Sequence, residues 1–477
     1  MKSLLDSFGR LIVLYRWLAL LIIVALSALS LWVSHARVQK ELPVDFTPQA
    51  IFMDNSASMQ RLREIEKSFG REDNDFLVML HGKALQTPEA MLLIRTLHKQ
   101  LEKVKAVERV DSLFSATRAI SLDGFTLEAD PIWSEDHKTT LQKAIGEPYF
   151  QHALVASDQQ TTVIRVRIEK SRERVSDLQP VVAQLEQIVA QQSLPKDLRI
   201  LTTGIPKIRT EVIELMMHDN FFYVPVLAIV FFLTIIVLFR NIRLSIAPLT
   251  GVLTAVIWSI GLLLWGGVTF NILSMLIPIL GLIIGLADGI HLVTRYQEEL
   301  HQDNDPVAAM GRCLQAMTVA CFLTSFTTAA GFFSLLVAKT TVIQDFGLQC
   351  AISVLVAYIA VIFTVPTYLA FIPQSAIGTP VSQNKTEKAI FDSIDRQVRT
   401  YPKRWIGLVL GVSLLATFIG RQVEPNSSIL EMYHPDHPTY ESIQLAEQRL
   451  SGIVPISVVT SIVISTFALG AKIERGT

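Results

Sequence analysis

One residue, Asp288, lies inside an apolar stretch that is long enough to cross a membrane, and it constrains this chain most. The stretch from Phe270 to Val293 meets the requirement of about 20 residues for a helix that spans the bilayer core. A carboxylate at that depth is costly, so it is retained mainly where it faces a protein interior or a wet cavity. Asp288 therefore indicates a path for protons or ions inside a membrane bundle.

The neighbours of Asp288 support this interpretation. His291 follows three residues later, on the same helix face. Pro278 precedes both residues and favours a kink in the helix. We predict a proton relay formed by Asp288 and His291. The alternative places Asp288 at the cytoplasmic end of the helix and makes His291 a packing residue.

Composition excludes several classes of protein. The 477 residues are 50% hydrophobic and 18% charged, which is typical of membrane spans combined with a sizeable polar portion. The net charge of −1 gives no basic bias toward nucleic acid. The three cysteines lie in or beside apolar runs and form no metal motif, so we expect no metal and no cofactor. We find no nucleophile elbow, H-E-x-x-H motif or phosphate loop, so an enzyme is not expected.

Apolar runs of spanning length predict seven membrane helices. The first run is too long for a typical signal peptide, so we expect it to be retained. The predicted spans are 11–34, 221–239, 245–267, 270–293, 315–337, 343–372 and 404–420.

The distribution of Lys and Arg orients these helices. The basic residues lie before the first run and between runs two and three, four and five, and six and seven. The positive-inside rule then places the N-terminus in the cytoplasm. The predicted domains are a cytoplasmic N-terminus with the first helix (1–35), an external α/β domain (36–220), a five-helix membrane bundle (221–372), a cytoplasmic linker (373–403), a seventh membrane helix (404–420) and the start of a second external domain with an atypical tail (421–477).

The external segment has the patterning of a folded α/β domain without disulfides. Period-two alternation predicts strands, and period-3.6 patterning predicts helices. Thr87 and Asp177 are placed to cap two of the helices. The expected strands are 75–82, 161–170 and 197–204, and the expected helices are 58–69, 87–104 and 176–192. Within the tail, 452–470 remains open between a strand, a membrane hairpin and an eighth span.

Two parts of the chain resemble each other in sequence. The segment 15–26 resembles 401–415, and each follows a short amphipathic stretch. A similar outer helix follows each copy, at 59–70 and at 440–452. Repeats of six spans are a transporter device. We therefore predict one complete six-helix repeat plus the beginning of a second, and we expect that this chain alone does not pump.

Several motifs carry a resemblance to a known superfamily. They are NILSMLIPILGLIIGLADGIHLVTRYQEEL (271–300), LTSFTTAAGFFSLL (323–336), QDFGLQCAISV (344–354) and TGIPKIRTEV (203–212). The layout resembles the resistance-nodulation-division transporters, in particular their mycobacterial-membrane-protein-large branch. Residues 221–372 are similar to the sterol-sensing module of Patched-like proteins.

The resemblance implies a polytopic α-helical membrane protein with an external α/β porter domain. It implies proton-driven export of a hydrophobic or lipid-like solute across a bacterial inner membrane. In the family, an acidic residue on the fourth helix takes part in proton relay, and here the matching residue is Asp288. Many members have an aromatic residue next, where this chain has Gly289, so His291 is the substitute partner in the relay. The implied partners are membrane lipids, the substrate, protons, and either a second copy or a periplasmic protein.

Two alternatives to an active exporter stay open. One is a non-transporting sensor that binds a lipid in its sterol-sensing-like bundle. The other is an inactive fragment of a longer transporter. A pump should not tolerate loss of the carboxyl group of Asp288, whereas a lipid sensor should tolerate it.

Small and hydroxylated residues surround the predicted relay. Gly281 and Gly285 should permit close helix packing beside Asp288. Arg295 and Glu299 form an i,i+4 pair that is typical of a solvated helix face. One face of the fifth span carries Thr324, Thr327, Thr328 and Gly331, either for helix packing or as a hydrogen-bonded route to Asp288.

Overall fold

The computed structural model contains two compact units, which are described separately. The first consists of Met1–Gly70, Lys170–Gln187 and Pro206–Met432, and the second of Arg71–Glu169, Ile188–Ile205 and Tyr433–Thr477. The structure describes residues 2–40, 74–121, 127–134, 136–148, 150–172, 174–377, 385–423 and 433–450, with the single positions 44, 61 and 452. The predicted helix at 58–69 and the alternatives for 452–470 lie outside the described residues.

The elements follow one another in three groups. The chain begins with α1 (Lys2–Leu14) and α2 (Arg16–Lys40). The second group is β1 (Asp75–His81), α3 (Pro88–Leu101), β2 (Val107–Asp111), β3 (Thr117–Ser121), β4 (Leu127–Pro131), α4 (His137–Gly146), β5 (Thr161–Ile168), α5 (Val175–Ala190) and β6 (Arg199–Gly204). The third is α6 (Ile205–Phe239), α7 (Ile242–Trp265), α8 (Ile277–Asp303), α9 (Pro306–Phe333), α10 (Thr341–Leu369), α11 (Lys385–Thr400), α12 (Pro402–Gly420) and α13 (Pro438–Arg449).

Seven helices among the described residues are long and apolar enough to cross a membrane, as predicted. They are α2, α6, α7, α8, α9, α10 and α12, so the chain is a polytopic α-helical membrane protein. The first span begins later than the apolar run suggested, because a turn at Tyr15 separates the amphipathic α1 from α2. Pro278 lies in the first turn of α8, where the missing N–H costs little, so the expected kink is not needed.

The membrane bundle is centred on α7 and α10. Ala255 of α7 and Ala357 and Ala360 of α10 are buried together, and these short side chains let the two helices approach closely. α8, α9 and α2 pack around this pair. In contrast, every residue of α12 is exposed. The bundle of the first unit is therefore built from the helices before α12.

A pair of glycines joins α1 to the beginning of α9. A Cβ atom on Gly9 would lie 2.7 Å from the carbonyl oxygen of Met310. A Cβ atom on Gly311 would collide with the side chain of Asp6. The ring of Phe8 packs edge-on against Phe363 of α10, with 5.3 Å between centroids. The amphipathic α1 is therefore a packed part of the bundle.

The second unit is built on a four-stranded antiparallel sheet with the order β2-β5-β1-β6. Strand β1 is buried almost throughout, as expected for a central strand. Within this unit, α3 connects β1 to β2 across the intervening strand β5, which is a split βαβ connection, and the β3-β4 hairpin and α4 follow β2 along the chain. The helix α5, which connects β5 to β6 along the chain, lies mostly in the first unit. The sheet confirms the predicted strands at 75–82, 161–170 and 197–204.

The helix caps agree only in part with the sequence prediction. Thr87 caps α3, since its hydroxyl accepts a hydrogen bond from the Ala90 N–H. Asp177 is not a cap, because α5 already begins at Val175 and Asp177 lies in its first turn. A carboxylate there still interacts favourably with the helix dipole.

The helix predicted at 440–452 belongs to the sheet unit. α13 packs against the edge strand β6 and buries Ile443 and Ala446. Arg199 of β6 lies 3.4 Å from the carboxylate of Glu441. The structure thereby confirms the predicted helix at 440–452, although the helix begins two residues earlier, at Pro438. A helix packed on an edge strand also limits pairing of that strand with other chains.

A buried histidine makes the stability of the sheet unit depend on pH. His98 of α3 is 5% exposed, and its Nδ1 lies 2.9 Å from the Ser112 hydroxyl. Burial lowers the pKa of His98 below its ordinary value of 6.5. The unfolded chain then binds more protons, so stability is complete above about pH 6.5 and is lost as the pH falls through that value. In the wild type, the protection factors of the α3 amides, which correct for the intrinsic pH dependence of hydrogen exchange, should fall as the pH is lowered below about 6.5. If His98→Leu shows the same pH dependence, the assignment is wrong.

Candidate functional site

The carboxyl group of Asp288 is enclosed in the middle of α8. Its side chain is 7% exposed, although α8 is a candidate membrane span. The next residue, Gly289, faces α7, and a Cβ atom there would lie 3.0 Å from Pro248. An aromatic residue at position 289 itself would therefore have to displace α7. This chain packs two helices together at Gly289.

The predicted glycines lie on the same side of α8. A Cβ atom on Gly285 would lie 3.4 Å from Val252 of α7 and 3.6 Å from Val361 of α10. A Cβ atom on Gly281 would lie 3.6 Å from Val256 of α7. These are ordinary packing distances, so an alanine would fit at both positions, and the tight approach of α8 to α7 lies at Gly289 instead.

The polar partners of Asp288 come from α9. The hydroxyl of Ser325 donates a hydrogen bond to Asp288 Oδ2 over 3.3 Å. Cys321 lies one turn earlier, and its thiol also interacts with the carboxyl group. Both residues are nearly fully buried. The result is a small polar cluster between two helices of an otherwise apolar core.

Sequence reasoning did not find these partners. The apolar context of Cys321 and the neighbouring threonines hid them. Their spacing of i,i+4 is a usable signal, because it places Cys321 and Ser325 on one helix face.

The structure places the predicted threonines elsewhere. Thr324 and Thr327 are exposed on α9, and Thr328 is partly buried. Their hydroxyls donate to backbone carbonyls of their own helix over 2.8 to 3.0 Å. None of the three bonds to Asp288 among the described residues. Such back-bonding satisfies hydroxyl groups in lipid and leaves them free to pack against another helix.

His291 lies outside the buried cluster and is exposed on α8. Ile283 and Ala287 are exposed on the same face of α8. The structure therefore brings Asp288 together with Ser325 and Cys321, and it leaves His291 on an open surface of the bundle.

A second charged cluster joins the ends of α8 and α9. The carboxylate of Glu299 lies 2.5 Å from Arg295 Nη2 and 2.6 Å from Arg312 Nε. The Glu299 side chain is only 5% exposed, so the expectation of a solvated face at this pair is wrong. The planar guanidinium group of arginine, with its fixed set of N–H donors, suits such a buried ion pair. Gln297 extends the link by donating to the carbonyl oxygen of Ile377 over 3.0 Å.

The described residues contain no group of three or more His, Cys, Asp or Glu side chains that could hold a metal ion. An enclosed carboxyl group beside two weak donors can take up and release a proton.

Comparison with known proteins defines the family. The model of the MMPL family matches residues 50–405. The membrane protein MJ1562 of Methanocaldococcus jannaschii is 27% identical over 213 residues, which make up 45% of this chain and 55% of that protein. Protein dispatched homolog 3 of Mus musculus is 33% identical over 86 residues, or 18% of this chain and 6% of that protein. The chain thus spans about half the length of the first relative and far less of the second. With its seven apolar helices and a family match over most of its length, this chain belongs to the MMPL family.

Proposed function

We propose that this protein uses the proton motive force to export a hydrophobic or lipid-like solute. The observation that carries the proposal is the carboxyl group of Asp288, enclosed within a membrane-spanning helix and hydrogen-bonded to Ser325. Ionisable groups at such positions are expensive and usually functional. Membership of the MMPL family supports a transporter of lipid-like substrates.

The proposed cycle turns on the charge of Asp288. Protonation removes a buried charge and leaves a neutral group that fits an apolar helix interface. Deprotonation restores the charge and favours closer contact with the hydroxyl of Ser325 on α9. The electrical part of the proton motive force supplies about 2.3 kcal/mol per charge per 100 mV.

A second bundle completes the site in this proposal. His291, Ile283 and Ala287 form an exposed face on α8, and Thr324 and Thr327 are exposed on α9. An exposed histidine within a membrane span is costly unless protein or water covers it. We place a second repeat, from the same protein or from a second copy, on the α8 face. His291 would then reach the relay from the interface between the two bundles.

The proposed orientation has the N-terminus and the 373–403 linker in the cytoplasm, with the sheet unit outside. In this arrangement the basic residues of the N-terminus and of the segments between spans two and three, four and five, and six and seven lie on the cytoplasmic side, as the positive-inside rule requires. Single cysteines test it in a chain whose native cysteines are replaced. An impermeant maleimide added to intact cells should label Ser157→Cys and should not label Ser382→Cys. Labelling of Ser382→Cys in intact cells would reverse the orientation.

Reconstitution tests the proposed activity. Because one bundle alone is not expected to pump, the purified chain is combined with the second bundle that the proposed site requires and is placed in liposomes that carry an imposed pH gradient and a fluorescent phospholipid analogue. Movement of the analogue between leaflets or to an acceptor should require the gradient and should stop when a protonophore is added. Movement that continues unchanged with the protonophore would contradict proton coupling.

A further inference from the structure

A groove on the side of the bundle has no role in the proposed relay. It lies between α2, α7 and α10 and has a volume of about 450 Å³. This volume lies within the range of about 300–1,000 Å³ for small-molecule sites. The described residues that line the groove are apolar apart from Ser30, and none is charged. The groove therefore suits the hydrocarbon part of a ligand.

Three tryptophans form the walls of the groove. Trp258 is anchored, because its Nε1–H donates to the hydroxyl of Ser27 over 3.0 Å. Trp32 and Trp265 are 67% and 76% exposed. Trp265 is the last residue of α7, and tryptophans at helix ends are typical of the membrane–water interface. The groove thus opens sideways into one leaflet, just below the level of the lipid headgroups.

The floor of the groove is a rigid helix crossing. Gly261 of α7 meets Ser30 of α2 so closely that a Cβ atom on the glycine would collide with the serine side chain. This close crossing fixes α2 against α7 and leaves the space beside it open. The position of the two helices that form the floor is therefore fixed by their close backbone approach.

A cation lies directly beyond the groove. Arg37 is one turn after the lining residue Val33, on the same face of α2. Side chains of a helix lean toward its N-terminus, so Arg37 leans toward the groove. The Nε atom of Arg37 is buried and has no hydrogen-bond partner among the described residues. A buried donor without an acceptor is costly, and a ligand oxygen at this position would satisfy it.

We propose that the groove binds an anionic phospholipid from the surrounding membrane. One acyl chain would lie between Trp32, Trp258 and Trp265, and the phosphate would receive hydrogen bonds from the guanidinium group of Arg37. A guanidinium group matches a phosphate with two parallel donors. A lipid with net negative charge is favoured over a zwitterionic one, because no acidic side chain lines the groove. The site does not depend on the transport activity proposed above.

Quenching of tryptophan fluorescence by brominated lipids tests this site. The chain has six tryptophans, and replacing Trp17, Trp133 and Trp405 with phenylalanine leaves only the three groove indoles as reporters. The full-length protein is reconstituted in vesicles that contain phosphatidylglycerol or phosphatidylcholine with bromine on the acyl chains. Brominated phosphatidylglycerol should quench with about fivefold higher affinity, the factor expected for one basic residue beside an anionic headgroup.

Variants assign that preference to the groove. Arg37→Gln should make the two lipids equal, and Arg37→Lys should keep part of the preference. Arg421→Gln is the matched control, since this arginine follows the exposed α12 and should leave the preference unchanged. Ile359→Phe should reduce quenching of the three groove indoles by both lipids, because it fills part of the groove without adding another indole. Equal quenching in the wild type, or a preference that survives Arg37→Gln, would overturn the proposal. The assay needs no pH gradient, so its outcome is independent of proton coupling.

Discussion

Asp288→Asn is expected to reduce protonophore-sensitive movement of the lipid analogue to the level of protein-free liposomes. Asparagine has nearly the same shape as aspartate, but it cannot take up or release a proton. Its amide oxygen can still accept the hydrogen bond that Ser325 donates to the carboxylate. Since a buried charge is also removed, the variant should fold and insert at least as well as the wild type. The expected loss is therefore one of coupling alone.

Two further variants sharpen this test. Ser325→Ala keeps the titrating carboxyl group and removes one hydrogen bond, worth about 1 kcal/mol, so transport should be slowed and not abolished. Asp345→Asn is the matched control, because Asp345 is an exposed carboxylate near the start of the membrane helix α10. It should transport normally. Normal protonophore-sensitive transport by Asp288→Asn would remove the relay and favour the lipid-sensor alternative.

Loss of both arginines around Glu299 is expected to destabilise the bundle strongly. The Glu299 side chain is 5% exposed, whereas those of Arg295 and Arg312 are 36% and 32% exposed. In Arg295→Gln/Arg312→Gln the carboxylate stays buried without a cation, at a cost of about 3–5 kcal/mol. Glu299→Gln leaves two cations that water can still reach, so it should cost less, about 1–3 kcal/mol. Thermal unfolding of the detergent-solubilised chain would measure this order.

An exposed ion pair provides the comparison. Arg399 and Asp395 lie 2.8 Å apart on α11 with side chains 79% and 58% exposed. Arg399→Gln should therefore change stability by less than about 1 kcal/mol. If Arg295→Gln/Arg312→Gln and Arg399→Gln unfold at the same temperature, the Glu299 cluster does not hold α8 to α9.

The membrane helices could be predicted because apolar length alone identifies a span. The strands β1 and β5 could also be predicted, because their sequences contain short runs of apolar residues, and the structure buries these residues. Strand β2 was missed because its sequence, VERVD, carries three charges and only Val110 is fully buried. Its pairing with β5 makes it a strand, although its local sequence pattern does not predict one. Edge strands of this kind depend on long-range contacts that a single sequence does not reveal.

The candidate site could be predicted only on one helix. Asp288 is conspicuous because a charge interrupts an apolar run. Its partners on α9 are not, since the face of α9 that meets α8 is set by tertiary packing. Thr324 and Thr327 looked equally suitable by composition, and rotation of the helix selects Ser325 instead. Glu299 was misjudged for a related reason, because Arg312 lies thirteen residues away on another helix.

The glycine crossing between α1 and α9 bears on the internal repeat that the sequence predicts. At a constant offset of 386 residues, Asp6, Ser7 and Arg10 of α1 recur as Asp392, Ser393 and Arg396 of α11. Gly9, which permits the close approach to Gly311, is replaced in the second copy by Asp395. A helix with a carboxylate at that position cannot repeat the crossing. The packed α1 and the exposed α11 therefore share a sequence register, but α11 cannot take the place of α1 against α9.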